Sequence, residues 1–293
     1  AGVWGTRHAH AYRHIPEACL RAVCDIDRGK AEAIGQRYGA ERVYEDLDAL
    51  LEDAEVEAVS IALPDHLHTN AALACISSGR HILVEKPLAL TVEESESIVA
   101  AADASGVKLM VDFTNRWNPP LVKAKDLLDS GLVSVPRLAY IRMNNTISVP
   151  TQWLTWPTHS GVLWWIGSHS IDLARWLFTD EVEAVSSVAG WGRLQSLGID
   201  AADYYVTTLR FVNGGIVTIE NCWILPNSRP GHVDVNVEII ADTGVITVDP
   251  YSHRALECFV EEKAPRPDFL EDHGSIQLPD FFYDFQLGGV ARG

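Results

Sequence analysis

Short apolar runs alternate with amphipathic stretches of helical length along the first part of the chain. Runs rich in Val, Ile and Leu predict strands, and apolar residues at three- and four-residue spacing predict helices. The predicted strands are residues 20–24, 56–63, 81–84 and 108–111. The predicted helices are residues 5–15, 27–38, 69–78 and 91–105, each followed by a proline or a glycine. This alternation predicts an α/β domain on a doubly wound parallel sheet that is covered on both faces.

The pattern changes after Asn115 to long alternating segments rich in Val, Ile, Thr and aromatic residues. Such segments predict an antiparallel sheet. Asn213-Gly214 and Asp242-Thr243-Gly244 predict hairpin turns within it, and residues 121–128 and 161–178 predict helices. We therefore expect a C-terminal α+β domain with a mostly antiparallel open sheet and flanking helices. The expected domains are residues 1–116 and 117–293.

Both ends of the chain have the pattern of an interrupted element. Ala1-Gly2-Val3-Trp4-Gly5 matches the inside of a G-x-G-x-x-G turn whose first glycine and preceding strand are absent. That strand is central in a doubly wound sheet. Residues 288–293 contain no helix that would close the second domain. We therefore expect a partial sequence, truncated in both domains, and poor NAD binding by this fragment alone.

Composition and charge exclude several classes of function. The 293 residues are 47% hydrophobic and 22% charged, which is a globular balance, and the net charge of −17 opposes binding to nucleic acid or to an anionic membrane surface. No apolar run is long enough to span a bilayer, and no signal peptide opens the chain. The 5 cysteines are scattered without C-x-x-C spacing. We expect a cytoplasmic protein.

The first turn and the strand after it carry signals for dinucleotide binding. Gly2, Trp4 and Gly5 are the expected contacts of a pyrophosphate, which the following helix would meet with its free N–H groups. Asp25, about 20 residues further on, stands where a carboxylate would accept the ribose hydroxyls. An ordinary turn is the alternative for the glycines alone. The carboxylate favours NAD over NADP, and Arg28 is the residue that would reverse this preference.

Two further motifs follow predicted strands, at positions that face a bound dinucleotide. These are the P-x-x-x-H stretch from Pro64 to His68 and the tripeptide Glu85-Lys86-Pro87. Two later motifs are Asn115-Arg116-Trp117-Asn118-Pro119 and Gly167-Ser168-His169-Ser170-Ile171-Asp172. Through these motifs together, the chain resembles the Gfo/Idh/MocA family of NAD(P)-dependent sugar, inositol and polyol oxidoreductases over essentially its whole length. The resemblance implies an N-terminal Rossmann domain, a carbohydrate or polyol substrate, and a homo-oligomer formed through the C-terminal sheet.

Oxidation of a carbinol needs a base for the hydroxyl proton while hydride leaves for the nicotinamide. The resemblance implies that Lys86 binds the reacting oxygen and takes part in proton transfer, and that His169 is the acid/base. We expect burial to lower the pKa of Lys86. The alternatives are an exposed lysine and a core histidine. Asp172, three residues after His169, is expected to orient its ring.

Three other residues are candidates for substrate binding. Arg116 and Asp172 are expected to reach substrate hydroxyls, with a surface ion-pair role as the alternative for each. Trp165 stands where many members of the family carry an aspartate, four residues before the histidine. The indole is expected either to lower the pKa of His169 and form an apolar platform for a sugar ring, or to pack in the core beside Trp164.

The sequence predicts no metal site. His10 with His14, and His66 with His68, are close in sequence, but no third ligand stands at a fitting spacing.

The expected function is hydride transfer between NAD and a hydroxyl or ketone of a cyclic sugar, inositol or polyol. Two alternatives remain open: an NAD-dependent glycosidase that acts by transient oxidation, and a non-catalytic NAD-binding regulatory protein such as the yeast galactose-regulon repressor.

Overall fold

The computed structural model describes residues 1–158 and 160–261. The described residues divide into two compact units, with the division between Thr114 and Asn115. The remainder of the predicted second domain, residues 262–293, lies outside the described part of the chain, and so does its expected truncation.

The first unit consists of parallel strands separated by helices, which confirms the predicted α/β class. Its strands are β1 (Ala22–Cys24), β2 (Arg42–Tyr44), β3 (Ala58–Ile61), β4 (His81–Glu85) and β5 (Leu109–Asp112). Its helices are α1 (Val3–His14), α2 (Arg28–Tyr38), α3 (Leu47–Leu51), α4 (His68–Ser77) and α5 (Val92–Ser105). Strand β1 pairs with β2, and β4 pairs with both β3 and β5, all in parallel.

Local signals set the helix ends in this unit. Thr91 and Glu94 form the capping box of α5, with each side chain bonded to the main chain of the other residue. Helices α2 and α5 end at Gly39 (φ 78°) and Gly106 (φ 68°), which adopt the left-handed conformation that glycine tolerates best. Helix α1 begins at Val3, two residues earlier than predicted. Strand β2 and helix α3 were not predicted, because 3 and 5 residues are too few to establish a periodicity.

The second unit is built on a seven-stranded sheet in the order β12-β11-β10-β6-β9-β8-β7. Its strands are β6 (Pro136–Thr146), β7 (Val182–Gly190), β8 (Tyr204–Phe211), β9 (Ile216–Leu225), β10 (Val233–Ala241), β11 (Gly244–Val248) and β12 (Leu256–Val260). All neighbours are antiparallel except β6 and β9, which are parallel. Both predicted hairpins are present, joining β8 to β9 and β10 to β11. The predicted open, mostly antiparallel sheet is therefore confirmed.

Two helices of this unit, α6 (Pro119–Asp129) and α7 (Ser168–Phe178), contribute to the same hydrophobic core as the sheet. The helix predicted over residues 161–178 is present from Val162, and its first part, Leu163–Gly167, is a π-helical turn that continues directly into α7. The backbone of this turn packs closely at Gly167, where a Cβ would stand 2.8 Å from Leu163 Cδ1 and 3.1 Å from Asn221 Oδ1. The turn thus brings its backbone against β9. No helix within the described residues is long and apolar enough to cross a membrane.

Candidate active site

The start of α1 has the features that a dinucleotide pyrophosphate requires. Gly2 precedes the helix, and nothing lies within 4 Å of the position that a Cβ on Gly2 would occupy. Gly5 lies in the first turn of the helix, where a Cβ would be 4.0 Å from the side chain of Ala62. Arg7 lies over the ring of Trp4, with its guanidinium carbon 5.4 Å from the ring centroid. The open backbone and the first-turn N–H groups of α1 fit a pyrophosphate.

Asp25 immediately follows β1, at the carboxyl end of the strand, as predicted. Its Oδ1 accepts a hydrogen bond of 2.8 Å from the main-chain N–H of Asp27, which fixes the carboxylate at the turn into α2. A carboxylate at the end of this strand fits ribose hydroxyls. The role of Asp25 in binding them stays a prediction.

The predicted cofactor residues Pro64 and His68 form the turn between β3 and α4. Pro64 precedes a single 3₁₀ turn (Asp65–Leu67), and His68 is the first residue of α4. The ring of His68 is fully buried, with Nδ1 2.7 Å from the carbonyl oxygen of Pro87 and Nε2 3.0 Å from that of Leu63. The imidazole thus ties the turn after β3 to the turn after β4, and its contact with a cofactor stays a prediction.

Lys86 follows β4 and is buried, with 4% of its surface exposed, so the alternative of an exposed lysine was wrong. Burial lowers the pKa of its ammonium group, while the carboxylates of Glu85, Asp65 and Asp112 act in the opposite direction. The net direction is downward, as the sequence analysis predicted. A lysine in such surroundings has an increased share of the neutral amine, which is the form that accepts a proton.

A buried polar cluster next to Lys86 was missed by the sequence analysis. Nε2–H of His8 donates to Glu85 Oε1 over 3.1 Å, and Asp112 Oδ2 lies 3.7 Å from the same nitrogen. The three residue types also bind metals, but the 3.1 Å separation is a direct hydrogen bond, and the expectation that no metal is needed stays a prediction. The missed signal was the pairing of β4 with β5, which sets Glu85 beside Asp112.

In the second unit Arg116 and Asp172 form a two-point ion pair. Arg116 Nε donates to Asp172 Oδ2 over 2.9 Å, and its Nη2 donates to Oδ1 over 2.7 Å. The carboxylate is almost buried, whereas 43% of the arginine side chain is exposed. The structure therefore realises the ion-pair alternative for both residues. Their contact with substrate stays a prediction, and so does the orientation of His169 by Asp172.

The remaining two candidates lie at the start of α7. His169 is the second residue of the helix and is half-buried. Trp165 lies in the π-helical turn and packs against the core of the second unit, while Trp164 is exposed on the same turn. This packing agrees with the core alternative for Trp165. Its function as a platform for substrate, and the acid/base role of His169, stay predictions.

The fold and these groups define a class of protein. Parallel strands with an open glycine turn and a carboxylate after β1 form a dinucleotide-binding unit, and a buried lysine follows β4. A separate sheet domain carries a histidine and an arginine suited to a polar substrate. These are the parts of a nicotinamide-dependent oxidoreductase.

Comparison with known proteins gives the family. Residues 1–113 match the oxidoreductase family with an NAD-binding Rossmann fold, and residues 121–247 match the GFO/IDH/MocA C-terminal domain. The chain belongs to the Gfo/Idh/MocA family and is an NAD-binding oxidoreductase, which confirms the predicted family, enzyme class and cofactor.

Named relatives share this assignment. The chain is 32% identical over 253 residues to an inositol 2-dehydrogenase of Rubrobacter xylanophilus, covering 86% of this chain and 70% of the relative. It is 29% identical over 255 residues to a levoglucosan dehydrogenase of Pseudarthrobacter phenanthrenivorans, covering 75% of this chain and 65% of the relative. A solved levoglucosan dehydrogenase with NADH and L-sorbose superposes with a TM-score of 0.84 at 25% identity, covering 98% of this chain and 80% of that one.

Proposed function

We propose that this protein transfers hydride between NAD and a hydroxyl or ketone of a cyclic sugar, inositol or polyol. The relatives named above are dehydrogenases of an inositol and of an anhydrosugar, and a further relative, from Paraburkholderia graminis, is a D-apiose dehydrogenase. The observation that carries the proposal is the buried Lys86 at the end of β4, whose pKa is lowered by its burial. A neutral amine at this position suits the removal of a hydroxyl proton.

Lys86 and His169 divide the proton chemistry in this proposal. When an alcohol is oxidised, its carbon loses a hydride and its oxygen loses a proton. Bound NAD would supply the nicotinamide ring that accepts the hydride. Lys86 Nζ holds the reacting oxygen and takes part in the transfer of that proton, and the His169 imidazole is the acid/base. In the reverse direction the same groups return the proton to the ketone oxygen.

Arg116 and Asp172 act on the rest of the substrate. The half-exposed guanidinium of Arg116 retains N–H groups for substrate hydroxyls, and the nearly buried Asp172 holds it in one orientation. Asp172 also orients His169 in this proposal. Trp165 offers one face of its indole to the C–H face of a sugar ring.

The cofactor contacts that we propose are all in the first unit. Gly2, Trp4 and Gly5 bind the pyrophosphate with the start of α1. Asp25 accepts hydrogen bonds from the ribose hydroxyls. This favours NAD over NADP, because the carboxylate would repel a 2′-phosphate. The turns that follow β3 and β4 complete the contacts through Pro64, His68, Glu85 and Lys86.

We also propose that residues 1–116 are a cofactor domain and residues 117–293 a substrate and oligomerisation domain of a cytoplasmic homo-oligomer. Strand register sets a row of exposed apolar side chains on one face of the seven-stranded sheet. They are Tyr140, Val188, Tyr204, Val206 and Phe259. The charged residues Arg142, Glu220 and Glu238 lie on the same face. An exposed sheet face that mixes apolar and charged side chains fits a surface that pairs with a second copy.

A substrate screen tests the proposed function. The purified protein is incubated with a panel of inositols, aldoses, anhydrosugars and aldonates, and NADH or NADPH formation is followed by absorbance. NAD or NADP is supplied at a concentration high enough to offset the weak binding expected from the sequence. We expect turnover with at least one free cyclic substrate and a preference for NAD. His169→Gln is expected to abolish it, while His253→Gln, an exposed histidine of the same unit, retains it. NAD binding with no turnover of any substrate would contradict the proposal, as would glycoside cleavage without net NADH.

A further inference from the structure

A chain of hydrogen-bonded side chains ends at Glu85, the residue before Lys86. The Tyr12 hydroxyl bonds Ser60 Oγ, which lies 3.3 Å from Nδ1 of His8. Nε2 of the same ring bonds Glu85, the residue before Lys86, over 3.1 Å. Asp112 completes the group, 3.7 Å from Nε2. The group joins α1, β3, β4 and β5 in the interior of the first unit.

The charges in this group are not balanced by ordinary pairing. His8, Glu85 and Asp112 are 2%, 6% and 0% exposed. Neither carboxylate oxygen of Asp112 has a hydrogen-bond partner among the described residues. Two buried carboxylates that face one nitrogen repel each other unless a proton is shared among them. The lone pair of an unprotonated Nε2 would add to the repulsion, so this nitrogen carries a proton.

Electrostatics agree with this geometry. Burial raises the pKa of Asp112 to about 6, the Glu85 carboxylate adds to the rise, and His8 and Lys86 act against it. The groups that face Lys86 in turn are Glu85, Asp65 of the 3₁₀ turn, and Asp112. Burial raises the pKa of the Tyr12 hydroxyl on α1, and the negative charge of Asp112 adds to the rise. The titration of Asp112 and the titration of Lys86 are therefore coupled.

We propose that His8, Glu85 and Asp112 form a proton-sharing cluster whose charge sets the fraction of Lys86 present as the neutral amine. This inference rests on the proposed function for its catalytic consequence, but not for the cluster itself. His8 and Asp112 are positioning residues, because they act through Glu85 and Lys86. When Asp112 is ionised, the cluster stabilises the ammonium form of Lys86. When Asp112 takes up a proton, the neutral amine is favoured.

Direct titration of Lys86 tests the coupling without turnover. The protein is labelled with [ε-13C]lysine, and the Lys86 signal is assigned from its loss in Lys86→Arg. Asp112→Asn removes one negative charge at constant shape, so we expect the pKa of Lys86 to fall by about one unit. Asp53→Asn is the matched control, a buried carboxylate of the same unit bonded to Arg21 and Tyr44. An unchanged Lys86 titration in Asp112→Asn would overturn the proposal.

A second variant covers the case in which Asp112→Asn does not fold. His8→Gln removes the group that favours the ionised form of Asp112. The carboxyl titration of Asp112, followed by 13C NMR of aspartate-labelled protein, is then expected to move to higher pH. An Asp112 titration at the same pH with and without His8 would contradict proton sharing. So would a stoichiometric divalent metal in the purified protein that is lost from Asp112→Asn.

Enzyme kinetics separate this inference from the proposed function. In Asp112→Asn the acid limb of kcat/KM for alcohol oxidation is expected to move to lower pH by the same interval as the Lys86 titration. Coupled titrations in a protein that oxidises no substrate would support the cluster and reject the proposed function. Turnover with an unshifted acid limb and an unshifted Lys86 titration would support the function and reject the cluster.

Discussion

The two units hold their catalytic candidates in opposite electrostatic settings. Lys86 is buried among carboxylates, and one of these, Asp112, has no hydrogen-bond partner for either oxygen within the described residues. Arg116 is half exposed and shares two well-formed hydrogen bonds with one carboxylate, Asp172. The first setting changes protonation states, because burial penalises every charge that is not matched. The second setting fixes the orientation of the arginine side chain, because a guanidinium can donate two parallel hydrogen bonds to a carboxylate only in a limited set of geometries.

This difference explains which group suits which task. A lysine can be moved toward neutrality by burial, so it can exchange a proton with a substrate. An arginine stays charged under all ordinary conditions, so pairing adds orientation without changing its proton content. The comparison predicts strong pH dependence for variants in the first unit and weak pH dependence for variants of the ion pair.

The largest expected effect comes from removing the amine. Lys86→Met is expected to lower kcat for alcohol oxidation by about 10²–10⁴-fold, the contribution typical of a positioned acid or base. NAD binding, measured by fluorescence titration, is expected to change much less. Lys108→Met, an exposed lysine of the same unit, serves as the control. Retained turnover in Lys86→Met would remove the buried amine from the chemistry.

The next effect is on stability. Because the folded-state pKa of Asp112 is raised from 3.8 to about 6, its proton stabilises the folded protein below pH 3.8, and this contribution is lost as the pH rises through about 6. A shift of this size corresponds to about 3 kcal/mol. Urea unfolding of the wild type and of Asp112→Asn at pH 5 and pH 8 measures the part of this contribution that is lost in that interval, about 1.4 kcal/mol. We expect a smaller loss of stability between these pH values in the variant, and equal losses would contradict the assignment.

A smaller effect is expected at the ion pair. Asp172→Asn weakens both hydrogen bonds from Arg116, and because the arginine is half exposed, the cost in unfolding free energy is about 1 kcal/mol or less. The proposed substrate role predicts that KM rises, and the proposed orientation of His169 predicts that kcat falls. The acid limb of the pH profile, assigned above to Lys86, is expected to stay at its wild-type position. The control is Arg175→Gln, on the same helix as Asp172, which breaks an exposed ion pair with Glu181. A displaced acid limb in Asp172→Asn would show that the pair acts on the proton chemistry.

The smallest effect is expected at Trp165. The indole packs against the core of its unit, so Trp165→Ala costs stability whether or not it contacts substrate. A platform for a sugar ring predicts in addition a several-fold rise in substrate KM. The expected effect of the indole on the pKa of His169 predicts a shift in the pH profile. Substrate affinity and a pH profile that are both unchanged would leave only the packing role.

Elements with a sustained pattern or a strong local signal were predictable from sequence. Strands β3 to β5, the capping box at Thr91 and the hairpin at Asn213-Gly214 depend on neighbouring residues, so each can be inferred from a short window. The short β2 and α3 could not be inferred in this way. The π-helical geometry of the turn that leads into α7, and the close approach of Gly167 to Asn221 of β9, could not be inferred either, because no local pattern reveals them.

Among the candidate site residues, the motif positions were available from sequence and their surroundings were not. Lys86 was found through its tripeptide, but the charges that act on it come in part from other elements: Asp65 from a 3₁₀ turn and Asp112 from β5. His8 of α1 is bonded to the neighbouring Glu85. Similarly, Arg116 and Asp172 were named separately, 56 residues apart, and only the folded chain joins them.

The amino-acid order alone determined the rhythm of strands and helices, the position of the glycine turn and the identity of the reactive side chains, because these follow from periodicity and short-range chemistry. Folding decided how much water each charged group keeps and which distant group faces it. Desolvation and pairing depend on distances between residues far apart in the chain. For that reason the lowered pKa of Lys86 could be predicted only in direction, and the buried acid–imidazole group beside it not at all.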